Sequence, residues 1–251
     1  MTARRAELAA NRVAVLERIA AAARLAGREP ADVTLIAVTK TFPADDVVTL
    51  ADLGQRDVAE NRDQEAAGKA AAVAAAAPDH PAVAGLRWHF VGQLQRNKVA
   101  SVVQYADVVH SVDRARLVTA LDTAAARHRD RPLEVLLQVD LRPLVAVTGP
   151  APSIGERGGV LPDDLLALAG TVTRSDNLQL GGLMAVAPLG ANPAEAFARL
   201  ADLAERLRGE FPQARIISAG MSGDADAAIA YGATHVRIGT ALLGGRSARL
   251  M

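Results

Sequence analysis

Eight short apolar runs recur along this chain, separated by stretches of helical period, and that alternation restricts its possible folds more than any other feature. The runs are 33–40 (VTLIAVTK), 56–60 (RDVAE), 86–92 (LRWHFVG), 106–112 (ADVVHSV), 133–140 (LEVLLQVD), 178–185 (LQLGGLMA), 214–220 (ARIISAG) and 234–239 (THVRIG). Most are near-continuous in apolar character, as parallel strands covered on both faces require. Between them, 43–53, 62–76, 94–104, 113–129, 162–174, 193–209 and 223–231 carry apolar residues at helical spacing. Several of these open on suitable cap or first-turn residues: Pro43, Asp113, Asn192-Pro193 and Ser222. Ahead of the first strand, 4–26 reads as an amphipathic helix with Leu8, Val15, Leu16, Ile19 and Ala23 on one stripe, closed by Gly27 and Pro30. Eight β/α units predict an α/β fold: one (β/α)8 TIM barrel domain over 1–251, with 1–29 as an extra N-terminal covering helix. An open, doubly wound sheet would need no eighth strand and usually has a Gly-rich first turn. Only 141–161 lacks either period. It is rich in Pro and Gly and reads as a long loop after strand five, either a tolerated insertion or a lid over the barrel mouth.

Composition removes several function classes. Twenty-eight basic and 28 acidic residues cancel, which argues against a nucleic-acid-binding surface. The absence of cysteine excludes disulfides, thiolate metal sites and cysteine nucleophiles. No apolar run reaches the roughly 18 residues that span a bilayer, and Glu7 and Glu17 lie in the first helix, unlike a signal peptide. The expectation is a cytoplasmic protein with neither nucleic-acid nor membrane partners. Fifty-four alanines against 3% aromatic residues mean that Val, Leu, Ile and Ala build the core. Among the 28 basic residues only Lys40, Lys69 and Lys98 are lysines. General lysine scarcity would produce this pattern. So would the retention of lysine where arginine cannot substitute, since an amine forms a Schiff base and a guanidinium does not.

In a barrel of this type, sites lie at the C-terminal ends of the strands. Strand one ends in Lys40, either an amine placed to attack a carbonyl or a side chain merely snorkelling from a strand end. Strand seven runs into Ser218-Ala219-Gly220-Met221-Ser222-Gly223-Asp224, and strand eight into Arg237-Ile238-Gly239-Thr240 with a short apolar tail. Barrels frequently bind phosphate with these two loops, at the N-terminus of a short extra helix. Backbone amides near Gly220, Gly223 and Gly239, with the Ser222 and Thr240 hydroxyls, would supply the donors. A phosphate site beside a Schiff-base-competent lysine describes a pyridoxal phosphate pocket. Arg237 then either faces the pyridine nitrogen or is a charge on the barrel rim. His89 reads as a satisfied rim histidine in preference to an acid–base group. Lys98 reads as a surface lysine or a phosphate or partner contact, and Lys69, in a run of alanines, as a solvated helix face.

Six segments carry a family resemblance: LIAVTK with Lys40, AENRDQE (59–65), WHFVGQLQRNK (88–98), GGLMAVAP (181–188), SAGMSGD (218–224) and HVRIGTALLG (235–244). Together they resemble the pyridoxal phosphate homeostasis protein family, whose single domain is like the barrel half of alanine racemase. The resemblance implies that Lys40 holds pyridoxal 5′-phosphate as an internal aldimine. It implies that Ser222, Gly239 and Thr240 hold the phosphate, that Arg237 lies near the ring nitrogen, and that Asn61 lies near the cofactor. Ser218 and Met221 line the same turn. The chain departs from the family pattern where Ala59 precedes Glu60-Asn61 and Arg62 follows, and in the size of 141–161.

Three functions are compatible with such a pocket: a carrier or buffer of the cofactor in vitamin B6 homeostasis, an amino-acid racemase or decarboxylase, and a class I aldolase. A racemase needs a group on the opposite face of the cofactor. The barrel is expected to consume the whole chain, and the tyrosines, Tyr105 and Tyr231, fall in helices away from the mouth. An aldolase would need an acidic partner for Lys40 at strand one. The expectation is therefore a monomeric, non-catalytic carrier, with apo-enzymes as candidate recipients and no metal.

Overall fold

A computed structural model describes residues 2–142 and 158–245. Its eight strands are β1 (Thr34–Val38), β2 (Asp57–Glu60), β3 (Arg87–Phe90), β4 (Val108–Val112), β5 (Leu133–Gln138), β6 (Leu178–Met184), β7 (Ile216–Ser218) and β8 (His235–Ile238). They pair in sequence order, all parallel, and β8 returns to β1 with Thr34 beside His235 and Ala37 beside Ile238, so the sheet closes into a barrel. Each strand lies inside the run that predicts it. The trimmed ends include two candidate-site residues, Lys40 and Gly239.

The helices are α1 (Ala3–Leu25), α2 (Ala44–Asp52), α3 (Asp63–Ala75), α4 (Val99–Tyr105), α5 (Ala115–His128), α6 (Leu165–Thr173), α7 (Pro193–Glu210), α8 (Ala225–Ala230) and α9 (Thr240–Leu243). The ends follow local chemistry. Thr2 caps α1 by accepting from the Arg5 amide, and Asn192 caps α7 by accepting from the Ala194 amide, with Pro193 at the first helical position. The helix expected from residue 94 begins as α4 only at Val99, because Arg96–Lys98 forms a tighter 3-10 turn.

Packing divides between two large apolar clusters. One joins β4, β5 and β6 to α4 through α7, with Phe90, Leu121, Leu137 and Phe197 fully buried. The other sets α1 against α2, α8, α9 and strands β1 and β8 through Leu8, Val15, Ile19 and Ala23. The covering helix thus closes the side of the barrel where its first and last strands meet. Few aromatic residues are needed, because alanine lets helices approach the sheet closely. A small third cluster (Val108, Leu136 and Met184, with Ile216 packed on it) is the apolar contribution from β4 through β7.

Of the long loop, residues 158–161 are described, and Val160 forms a parallel bridge to Val139 at the end of β5. The rest of 141–161, and with it the lid reading, falls largely outside the described residues. Among the described residues no helix is long and apolar enough to cross a membrane.

Candidate functional site

Lys40 follows β1 at the C-terminal end of the barrel, between Thr39, which is fully buried, and Thr41. Thr41 is the only non-glycine among the described residues with positive φ (+68°). A β-branched residue in the left-handed region is costly and persists only where its surroundings impose it. Here they do. The Thr41 amide donates to the Glu65 carboxylate, and Lys69 donates to the Thr39 carbonyl at 2.8 Å. Lys69 also binds Glu60 Oε1 at 2.6 Å and Glu65 Oε1 at 2.9 Å, while the Thr39 hydroxyl donates to Glu60 at 2.7 Å. Glu60, Glu65 and Lys69 therefore grip the backbone on both sides of Lys40. Burial pushes the Glu60 carboxyl upward, opposed by Lys69 and Thr39.

The expectation for Lys69 is corrected by this arrangement. It is buried, with its side chain 5% exposed, because α3 turns that face toward the end of β1 and two carboxylates compensate its charge. Lys98 lies 3.9 Å from Asp63. Among the described residues Lys40 alone of the three lysines has neither a hydrogen bond nor an ion pair, which leaves the lysine at the barrel mouth as the uncommitted one.

On the neighbouring strand, β8 carries Arg237, which is registered beside Ile36 of β1 and is 5% exposed. Its NH1 donates to the backbone oxygen and the hydroxyl of Ser218, each at 2.7 Å, and its NH2 donates to the Ala185 carbonyl at 2.9 Å. Nε–H and one hydrogen on NH2 have no partner among the described residues. Burial lowers the guanidinium to about 10, so it remains a cation at neutral pH. The rim-charge reading of Arg237 fails, since the side chain is held inside the barrel by three acceptors.

The loops after β7 and β8 adjoin because these strands pair. Gly220 takes φ +89°, and a Cβ there would come within 2.7 Å of Ala228 and 2.9 Å of the Ala225 backbone, so the turn into α8 admits only glycine. The Met221 amide donates to Asp224 at 2.6 Å, and the Ser222 carbonyl accepts from Arg18 of α1 at 2.7 Å. Gly239 precedes α9 and its carbonyl accepts from the Leu242 and Leu243 amides, which leaves the Thr240 and Ala241 amides without an acceptor among the described residues. The Ser222 and Thr240 hydroxyls make no hydrogen bond among the described residues. Met221 is 42% exposed at the edge of this cradle. Ser218 differs from its neighbours: it is fully buried beneath Arg237, and its hydroxyl is engaged by protein. Asn61 directly follows β2. A Cβ on Gly92 would lie 2.0 Å from the Asn61 carbonyl oxygen, so the loop after β3 passes over Asn61 only as glycine.

His89 is a satisfied histidine, as expected, but not at the rim. It is 1% exposed in the barrel interior, bonded to His110 at 2.8 Å and to Asp57 at 2.9 Å. His110, Asp57 and Glu60 are supporting residues to which the sequence alone gave no role, and Lys69 is one that it placed on a solvated face. A separate cavity of about 440 Å³ lies at the opposite end of the barrel, lined by Arg87, Asp107, Arg131 and Glu134 among others. Its charges largely neutralise one another, Arg87 with Glu134 and Arg131 with Asp107.

Residues 11–247 match the model of the alanine racemase N-terminal domain. A protein of Mycobacterium tuberculosis named pyridoxal phosphate homeostasis protein is 43% identical over 98% of this chain and 95% of its own length. A solved protein of unknown function from Bifidobacterium adolescentis superposes with a TM-score of 0.84 at 31% identity, covering 96% of each chain. PipY of Synechococcus elongatus, solved with pyridoxal phosphate bound, superposes with a TM-score of 0.72 at 36% identity over 90% of this chain and all of its own. With the barrel, the lysine at the end of its first strand and relatives matched along nearly their whole length, the chain belongs to the pyridoxal phosphate homeostasis protein family.

Proposed function

We propose that this chain binds pyridoxal 5′-phosphate covalently through Lys40 and carries or buffers the cofactor in vitamin B6 homeostasis, without turning over a substrate. The observation that carries the reading is the state of the three lysines. Lys69 and Lys98 lie against carboxylates, whereas Lys40 has no partner among the described residues and stands at the barrel mouth on a backbone fixed from both sides.

The residues present fit the group. A lysine follows β1 at the mouth, an arginine retains two N–H groups uncommitted among the described residues, and two hydroxyls with the Thr240 and Ala241 amides stand ready for an anion. Ser222, Gly239 and Thr240 would hold the phosphate, Arg237 would face the ring nitrogen, and Asn61 and Met221 would border the ring. When bound, the cofactor supplies an aldehyde carbon for the lysine and a ring that withdraws electrons. Arginine can donate a hydrogen bond but cannot accept one. A ring nitrogen facing Arg237 is held without a proton and withdraws electrons only weakly. Neither tyrosine supplies a second base, since Tyr105 ends α4 edge-on to Trp88 and Tyr231 lies at the end of α8. Both features favour holding the cofactor over catalysis with it. Apo-enzymes are the proposed recipients, and the chain acts as a monomeric barrel in the cytoplasm.

Borohydride reduction of the cofactor-loaded protein followed by peptide mapping tests this reading. The reduced adduct is expected on Lys40 alone and to be absent from Lys40→Ala. An adduct on Lys69 or Lys98 would overturn the assignment. Exchange of amino-acid α-protons at about 1 per second or faster would replace the carrier by an enzyme.

A further inference from the structure

The barrel interior holds a second buried polar system, which reaches Arg237 from below. Asp57 opens β2, His89 lies in β3, His110 in β4, Ser218 ends β7 and Arg237 lies in β8. Their side chains form one unbroken series. Arg237 NH1 lies 2.7 Å from Ser218 Oγ, and Ser218 Oγ lies 3.1 Å from His110 Nδ1. His110 Nε2 lies 2.8 Å from His89 Nδ1, and His89 Nε2 lies 2.9 Å from Asp57 Oδ1. Strands β4 and β7 are not neighbours in the sheet, so the link between His110 and Ser218 crosses the barrel.

The two ends fix the direction of every hydrogen bond. Arginine can only donate and a carboxylate can only accept. His89 therefore carries its proton on Nε2, toward Asp57, which leaves Nδ1 bare when the ring is neutral. His110 must then donate from Nε2 to His89, which leaves its own Nδ1 bare. The Ser218 hydroxyl gives its single proton to that nitrogen and accepts from Arg237. Burial, with the cationic Arg237 nearby, drives His110 well toward neutrality, and burial does the same for His89. All four donors in the series point away from the arginine toward the carboxylate at the barrel floor.

We propose that His110, His89 and Asp57 are positioning residues for the cofactor's ring nitrogen: their one-way series locks Ser218 as an acceptor for Arg237 and so selects which guanidinium N–H groups stay free for the ligand. The three act through Arg237 and do not touch the ligand themselves. This rests on the reading that the site takes pyridoxal phosphate. The histidines do not gather as metal ligands, since among the described residues no cluster of three or more His, Asp or Glu side chains could hold a metal ion.

Two measurements test the proposal. The first uses ¹⁵N-histidine NMR of the ligand-free protein and does not depend on the cofactor. His89 and His110 are both expected as neutral Nε2–H tautomers, and an Nδ1–H tautomer or a cationic ring at either position near neutral pH would overturn the one-way series. The second compares pyridoxal phosphate with its analogue bearing C–H in place of the ring nitrogen, titrated against wild type, His110→Leu and Asp57→Asn. Wild-type protein that forms no reducible adduct with pyridoxal phosphate would sink the functional reading itself. Given binding, His110→Leu is expected to weaken pyridoxal phosphate about tenfold or more, in the range of one charge-assisted hydrogen bond, and the analogue by less than about twofold. Asp57→Asn, which has no contact with Arg237 and keeps the shape of the floor, is expected to move the same way by a smaller factor. Equal losses for both ligands, or no loss for either, would reduce the series to packing.

Discussion

Two buried polar systems flank the barrel mouth, and they solve the same problem by opposite means. Under Lys40, Glu60, Glu65 and Lys69 are charged groups that fix a backbone turn through ion pairs. Under Arg237, Asp57, His89, His110 and Ser218 form a series whose middle members are uncharged. A cluster of compensated charges tolerates change in solvent but not the loss of one partner. A series of neutral imidazoles tolerates neither added protons nor reversal of a single donor. The difference teaches that the two sides of one pocket should fail in different ways.

The largest expected effect breaks the first system. Lys69→Met leaves Glu60 buried without its counter-charge and should cost about 3–5 kcal/mol of stability in urea unfolding. Adding Glu60→Gln should restore much of it, because both groups are then uncharged. A cost below about 1 kcal/mol for Lys69→Met would show that the ion pairs do not secure the turn.

Next come the groups that belong to neither system. Ser222→Ala and Thr240→Ala should each cost about 1.5–3 kcal/mol of affinity for pyridoxal phosphate and far less for pyridoxal, because a charge-assisted bond to phosphate is lost. Equal losses for the two ligands would place these hydroxyls elsewhere.

The third test separates the systems by pH. His89, His110 and His235 are all lowered by burial, His235 to about 4. The unfolded chain takes up protons on these rings below about pH 6.5, which the folded barrel refuses. Stability is therefore full above that pH and falls as pH drops toward 4, by up to about 1.4 kcal/mol per pH unit for each ring. Urea midpoints measured at intervals from pH 7.5 to 4.5 should show the decline. A flat profile would mean that the rings are already charged in the fold. The smallest effect is at Thr41→Gly. Relief of left-handed strain, about 1–2 kcal/mol, is offset by the 0.5–1 kcal/mol that glycine loses in chain entropy, roughly cancelling. A loss above about 2 kcal/mol would show that the threonine side chain itself secures the turn.

The barrel was legible in the sequence because parallel strands covered on both faces must be apolar nearly throughout, and eight such runs leave little choice of fold. Lys40, Ser222 and Thr240 stood out as candidates because strand ends are where such a fold exposes chemistry. Lys69 was misread for a physical reason. In a helix made mostly of alanine, the apolar pattern does not say which face turns inward. The spacing of Glu65 and Lys69, four residues apart, and the scarcity of lysine were the available signals. His110 and Ser218 stand 108 residues apart on non-adjacent strands, and no local pattern encodes a contact across a barrel. Gly92 was likewise silent, since its need for a missing Cβ exists only once Asn61 lies beneath it.

One joint in the sheet gives Arg237 a mechanical meaning as well. β5 and β6 are registered over six residue pairs, whereas β7 and β8 share only Ser218 with His235. Beyond that pair the joint is carried by the amides of Thr234 to Ile217, Ala219 to His235 and Arg237 to Gly220, by the Ile217 amide to the Thr234 hydroxyl, and by the Arg237 side chain reaching back to Ser218 and Ala185. Seen as a hoop under tension, the barrel is thinnest there, and the guanidinium proposed to face the ligand is also the stitch across the thin place. A substitution that retunes the pocket through Arg237 also changes how easily the hoop opens, so electronic adjustment of the site and breathing of the wall are tied to one side chain.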